Sequence, residues 1–207
     1  MNEAAAFTFQ NLEKLSDEQF SKVLDIMVEC FSNAFRRITK SKDVLRRIFR
    51  TGFDKSLVTV CLIDNVPAGF IAVSDNKSRP LHFDKEILKK EMGRFAGAMT
   101  ASSVNSSMGK PMVKGEHEAY IDFLGVNPEY RKMGAATALF DYTYSTHPYK
   151  TYYIDVIYNN EPAINLYKKL GYSIIKEKKG FIQIVSGLKC EYLMKFEIPE
   201  SEACNDN

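Results

Sequence analysis

The stretch from Ala119 to Lys176 constrains the fold more than any other part of the chain. A β-rich run, Tyr120–Val126, ends in Asn127-Pro128, and Arg131-Lys132-Met133-Gly134-Ala135-Ala136 then turns directly into a helix over Gly134–Tyr144. A second β-rich run, Tyr152–Ile157, leads into a short helix over Pro162–Leu170 that Gly171 stops, followed by a strand over Tyr172–Lys176. Strands that alternate with helices in this way require a sheet with helices packed on it, so the chain reads as α/β.

The flanking segments fit that frame. Ser16 with Gln19 three residues on is a capping box, and Phe20, Val23, Leu24, Met27, Phe31 and Phe35 follow at helical spacing. Ser41 is a second N-cap, with Val44, Leu45, Ile48 and Phe49 as the apolar stripe and Gly52 as the stop. Leu57–Ile63 and Ala68–Val73 form a hairpin around Asp64–Pro67. Ile87, Leu88, Met92, Phe95 and Met99 predict a third helix over Asp84–Met99, Thr100–Gly115 reads as a loop, and Glu191–Ile198 as a closing strand. Residues 1–198 are expected to form one domain, and 199–207 a short, acidic, disordered tail.

Charge and cysteine usage narrow the function classes. Lys+Arg 28 against Asp+Glu 26 leaves a formal +2, which points away from nucleic acid. The basic run Arg36, Arg37, Arg46, Arg47 and Arg50 reads as a solvated helix face, and Lys176–Lys179 as a charged turn. The four cysteines and three histidines are scattered without paired spacing, so reduced thiols, a cytoplasmic location and no metal site are expected. No stretch reaches the roughly 18 apolar residues of a membrane span, and Met1–Gln10 has no leader-like apolar core. A monomer or homodimer is expected.

The turn before the Gly134 helix carries chemistry. Unpaired N–H groups and the positive end of a helix favour an anion there. Gly134 and Ala136 are small enough for a phosphate to reach the backbone, Arg131 and Lys132 add charge, and the Thr137 hydroxyl offers another donor. R-x-x-G-x-A alone fits an ordinary strand–turn–helix equally well. Gly125 fits a bulge or a close backbone approach.

A second motif follows one strand later: Asn160, Ala163, Leu166, Tyr167, Gly171 and Tyr172, spaced N-x-x-A-x-x-L-Y-x-x-x-G-Y. With Arg131, Gly134 and Ala136 it resembles the GCN5-related N-acetyltransferase (GNAT) superfamily over residues 119–176. The resemblance implies a single-domain, mixed, mostly antiparallel sheet flanked by helices, whose two parallel strands splay apart to take the pantetheine arm of acetyl-CoA. It implies that Leu124, Gly125 and Val126 form the strand edge for that arm. The pyrophosphate would lie on Arg131, Lys132, Met133, Gly134, Ala135, Ala136 and Thr137, with Asn160 and Ala163 nearby.

It also implies direct attack by an amine, small-molecule or peptide, with Tyr167 protonating the leaving thiolate and a backbone N–H at Leu124 stabilising the oxyanion. On helical spacing alone Tyr167 reads as a core aromatic, and Asn160 as a helix cap. The strand position that carries a base in many relatives falls on Tyr120, which is no carboxylate. Strand alternation puts Glu118, Tyr120 and Asp122 on one face, leaving Asp122 or Glu118 to act directly or through water. A non-catalytic acyl-CoA-binding module is the alternative; a nucleotide-binding turn ranks third.

Overall fold

Both serine caps start helices. Ser16 Oγ accepts from the Gln19 N–H at 3.2 Å while Gln19 Oε1 accepts from the Ser16 N–H at 3.0 Å, so α1 (Asp17–Phe31) opens on a complete capping box. Ser41 Oγ accepts from the Val44 N–H at 3.3 Å and opens α2 (Lys42–Gly52). The hairpin of β2 (Val58–Ile63) and β3 (Val66–Ser74) turns on Asp64 and Asn65, whose φ of 48° and 64° match a two-residue turn twisted like its strands. These elements belong to a computed structural model that describes residues 6–36, 38–179 and 190–199.

The remaining elements are β1 (Thr8–Asn11), α3 (Lys85–Met92), α4 (Arg94–Met108), β4 (Glu118–Val126), α5 (Ala135–Thr146), β5 (Thr151–Ile157), α6 (Glu161–Lys169), β6 (Ser173–Lys178) and β7 (Glu191–Glu197). They form one seven-stranded sheet in the order β1-β2-β3-β4-β5-β7-β6. Only the β4–β5 pair is parallel among the described strands. One apolar layer joins α1–α4 to the sheet through Phe49, Phe70, Phe83 and Phe123. The other joins α5 and α6 to it through Leu139, Phe140, Ile121, Tyr152, Ile154 and Tyr167. The two layers cover opposite faces, which is what makes a gap between two strands a passage from one face to the other.

Several expectations are corrected. The third helix is two: Gly93, at φ 86°, ends α3, and Phe95 and Met99 are exposed rather than part of its apolar stripe. α4 then runs to Met108 through the segment expected as a loop. Its small residues have a packing reason, since a Cβ at Gly97 would lie 2.2 Å from the Leu88 carbonyl oxygen of α3. β1, a four-residue edge strand, has no sequence pattern long enough to read. Lys176 and Lys178 lie in β6, not in a turn. Of the expected tail, residues 200–207 lie outside the described residues.

The expected irregularity at Gly125 sits elsewhere. Ala72 pairs with Phe123 and Val73 with Ile121, so Asp122 is the extra, bulged residue and Gly125 stays in register opposite Phe70. What approaches Gly125 closely is a core ring: a Cβ there would stand 2.5 Å from Phe70 Cε1 and 3.3 Å from Cys30 Sγ. Gly125→Ala is therefore expected to overpack this layer and cost about 1–3 kcal/mol, read as a lower urea midpoint at unchanged slope. An unchanged midpoint would show that Phe70 swings aside freely.

Candidate active site

The parallel ladder is short. Pairing runs from Glu118↔Thr151 to Ile121↔Ile154 and stops, although β4 continues to Val126 and β5 to Ile157. Past that point β4 stays bound to β3 and β5 to β7, each on its outer side. Asp122–Val126 and Asp155–Ile157 therefore face each other across a gap bridged by no ladder among the described residues. An inner strand edge without a partner can accept the amides of an extended ligand, as in strand addition.

The turn after β4 is shaped for an anion. Lys132 (φ 63°) and Gly134 (φ 92°) both have left-handed backbone, which gathers successive N–H groups into a concavity. Ser16, Ser41, Asp84 and Asn160 cap α1, α2, α3 and α6 with side chains, whereas α4 and α5 begin at Gly93 and Gly134 with no side-chain cap. At α5 the first N–H groups stand beside the turn of Lys132 and Gly134. Arg131, Lys132, Met133, Gly134 and Thr137 are exposed around them, while Ala135 is buried against the sheet and offers only its backbone.

On the α5–α6 face, Tyr167 is buried, with its ring centroid 5.9 Å from those of Phe140 and Tyr172. Leu124 and Val126 pack against the same apolar cluster. Burial pushes the Tyr167 phenol well above its ordinary range, so it is held protonated as a donor. Asn160 is the cap of α6, its Oδ1 accepting from the Ala163 N–H at 3.4 Å.

The other face of the gap is charged. The Asp122 side chain is 1% exposed, and Arg79 Nε and Nη2 lie 2.7 and 2.5 Å from its Oδ1. The guanidinium also donates to the Lys110 carbonyl at 2.9 Å and stands 5.6 Å from the centre of the Tyr120 ring. Burial outweighs the arginine and lifts the Asp122 carboxyl to about 6. Tyr120 is buried beside it, its phenol raised by burial and by the Asp155 carboxylate it faces.

Glu118 is otherwise engaged. Its Oε2 accepts from the Gly115 and Lys114 N–H groups at 2.7 and 3.2 Å, its Oε1 from the Tyr153 hydroxyl at 3.1 Å. The Gly115 and Lys114 donors outweigh the cost of burial and hold its carboxyl below the usual range. Of the acids on this face named from sequence, Asp122 is the one at the gap.

Three members of the site carried no readable signal. Arg79 lies in a connection, Lys178 on β6, and Asp155 on β5, where a single acid among aromatics reads as ordinary alternation. Lys178 Nζ donates to Asp155 Oδ2 at 2.6 Å. Among the described residues no group of His, Cys, Asp or Glu is arranged to hold a metal, and no helix is long and apolar enough to cross a membrane.

The model of the acetyltransferase (GNAT) family matches residues 20–172. No curated protein matches the sequence. Among solved structures, the chain is similar to Ard1 of Thermoplasma volcanium (18% identity, 94% of this chain and 99% of that one, TM-score 0.56). It is similar to an N-acetyltransferase of Staphylococcus aureus Mu50 (15%, 91% and 100%, TM-score 0.59). It is also similar to the ribosomal-protein-S18-alanine N-acetyltransferase of Escherichia coli (14%, 96% and 98%, TM-score 0.54). At these identities the likeness is one of fold.

The raised Asp122 carboxyl links the site to stability. In the unfolded chain an aspartate ionises near pH 3.9, while in the fold Asp122 keeps its proton to about 6. The folded state binds the extra proton between those values, so this group removes stability as pH rises through the window. Asp122→Asn lacks that loss. Its unfolding free energy relative to the natural protein is expected to rise by about 2 kcal/mol between pH 4 and pH 7, measured by urea unfolding at both. A difference that does not change with pH would mean that Asp122 ionises normally.

Proposed function

We propose, from the premise that this chain belongs to the acetyltransferase (GNAT) family, that it moves an acetyl group from acetyl-CoA to a primary amine of a small molecule or peptide. The observation that carries this reading is the gap between β4 and β5. It has an anion-binding turn at the end of β4, a buried phenol on one face and a buried carboxylate on the other.

Each residue then has a task. The backbone from Lys132 to Ala136 takes the pyrophosphate, with Arg131 and the Thr137 hydroxyl beside it and Met133 over the turn. The edge Leu124-Gly125-Val126 pairs with the amides of the pantetheine arm, and Asn160 and Ala163 border that arm from the start of α6. The Leu124 N–H donates to the oxygen that gains charge when the amine attacks, where a preorganised donor is worth most. Tyr167, kept neutral by burial, is the donor to the sulfur as the C–S bond breaks, where negative charge gathers. Asp122, with Tyr120 beside it, lies on the face from which the amine arrives.

Calorimetric titration with acetyl-CoA, against ATP and pantetheine, tests the reading directly: saturable 1:1 binding is expected, with ATP much weaker. Gly134→Asp is expected to abolish that binding, because it places a negative charge at the anion turn and strains a backbone at φ 92°. A folded variant that binds normally moves the cofactor elsewhere. Tyr167→Phe is expected to keep acetyl-CoA binding and slow transfer at least ~10-fold. An unchanged rate removes Tyr167 from the chemistry.

A further inference from the structure

Two carboxylate oxygens at the parting of the strands are buried and have no hydrogen-bond partner among the described residues: Asp122 Oδ2 and Asp155 Oδ1. Each belongs to the first residue of its strand past the last parallel pair, Ile121↔Ile154. Tyr152, Ile154 and Val156 point into the α5–α6 layer, so alternation turns Asp155 to the face that Tyr120 and Asp122 share. Asp155 is near enough for its charge to raise the proton affinity of Asp122.

The opposite oxygen of each acid is already held by a cation. Arg79 grips Asp122 Oδ1, and Lys178 grips Asp155 Oδ2. The site thus contains two anchored carboxylates, each with one oxygen that no donor holds at hydrogen-bond geometry, although the Tyr120 phenol acts on Asp155 and the Ser74 hydroxyl on Asp122 from nearby. A buried acceptor left in that state costs about 1–3 kcal/mol, more when charged. A group with several donors can satisfy both oxygens at once, and positive charge on it would add to the attraction.

We propose that this pair is the receptor for the acceptor substrate's primary ammonium group, and that Asp155 is the catalytic residue that takes its proton. The inference rests on the acetyl-transfer reading and narrows its acceptor to amines that arrive protonated. Asp155 is assigned the proton because its side chain is 21% exposed and can pass it on to water. Asp122, 1% exposed and clamped by an arginine that stays charged, is assigned to binding.

The step balances. The ammonium gives one proton to the Asp155 carboxylate, and the freed nitrogen lone pair forms the C–N bond. The C–S bond then breaks with its electron pair on sulfur, which takes a proton from Tyr167. The nitrogen's second proton leaves through solvent and solvent restores Tyr167. Overall, ammonium and thioester become amide, thiol and one released proton.

The charged and titratable groups around Asp155 are Tyr120 and Asp122 of β4, Arg79 of the β3–α3 connection and Lys178 of β6. Glu118, Tyr153 and Lys195 lie one step further along the same face.

The test measures thiol release from acetyl-CoA with n-butylamine, glucosamine and a tripeptide with a free amino terminus, each protonated at pH 7. The uncharged arylamine p-anisidine serves as the comparison. Acetyl-CoA binding is followed separately by calorimetry. Asp155→Asn is expected to bind acetyl-CoA normally and to lose about 100-fold in rate at pH 7 with the alkylamine that the natural protein uses. The loss should shrink as pH approaches that amine's own pKa, where the substrate arrives neutral. Any p-anisidine rate should change less than about 3-fold, since no proton need be removed from that nucleophile beforehand.

A deficit of equal size at every pH and with both amine types would make Asp155 structural and overturn the proposal. So would an unchanged rate, or a natural protein that binds acetyl-CoA yet acetylates none of the alkylamines. Failure to bind acetyl-CoA at all would instead bring down the acetyl-transfer reading beneath it.

Discussion

A parallel ladder that ends after Ile121↔Ile154 is the constraint on which the rest of the site depends. Two strands of one sheet normally stay paired, because an unpaired inner edge leaves backbone donors and acceptors without partners. Here each strand keeps its outer ladder over the same residues, β4 with β3 and β5 with β7, so only the inner edges are left open. The bulge at Asp122 coincides with the parting and increases the local twist of β4. An opening built this way is preorganised, and a ligand that enters it need not first prise the sheet apart.

The gap also divides the molecule electrostatically. Toward α5 and α6 its walls are aromatic and aliphatic, and the polar atom contributed by Tyr167 is a phenol kept neutral by burial. Toward the other face stand Asp122, Asp155, Arg79 and Lys178. A group that must receive a proton and a group that must lose one have opposite needs, and two faces of one opening meet them without placing acid and base in contact. Had Tyr167 and the carboxylates shared a face, the phenol would have been drawn into a hydrogen bond with an acid.

Much of this was legible because it is encoded locally. Ser16 and Ser41 announce their helices within four residues, and Asp64-Asn65 announces its hairpin. Gly134 marks a turn that requires positive φ, so the turn could be read from one segment. The strand–helix alternation from Ala119 onward fixed the fold class, and the spacing of Asn160 and Tyr167 supplied the family. What could not be read depends on partners far away in sequence. Arg79 meets Asp122 across 43 residues and Lys178 meets Asp155 across 23. The bulge exists only in the pairing of β4 with β3, and α4 packs Gly97 against α3 and a sparse stripe of Ala101, Val104 and Met108 against the core, diluted by serines and a threonine.

The same distinction explains why a costly arrangement persists at the gap. Arg79 uses two nitrogens on one oxygen of Asp122, though a guanidinium fork can bind both oxygens of a carboxylate side by side. That pairing would satisfy Asp122 more fully and lower its proton affinity. Instead one oxygen is left for something else, and burial lifts the carboxyl to about 6. Asp155 repeats the pattern, with a lysine on one oxygen and none of the described residues on the other. Two neighbouring acids left half-satisfied in the same way lower the stability of the empty protein. A cationic donor between them would recover that stability, so the fold's local deficit becomes binding energy for such a group.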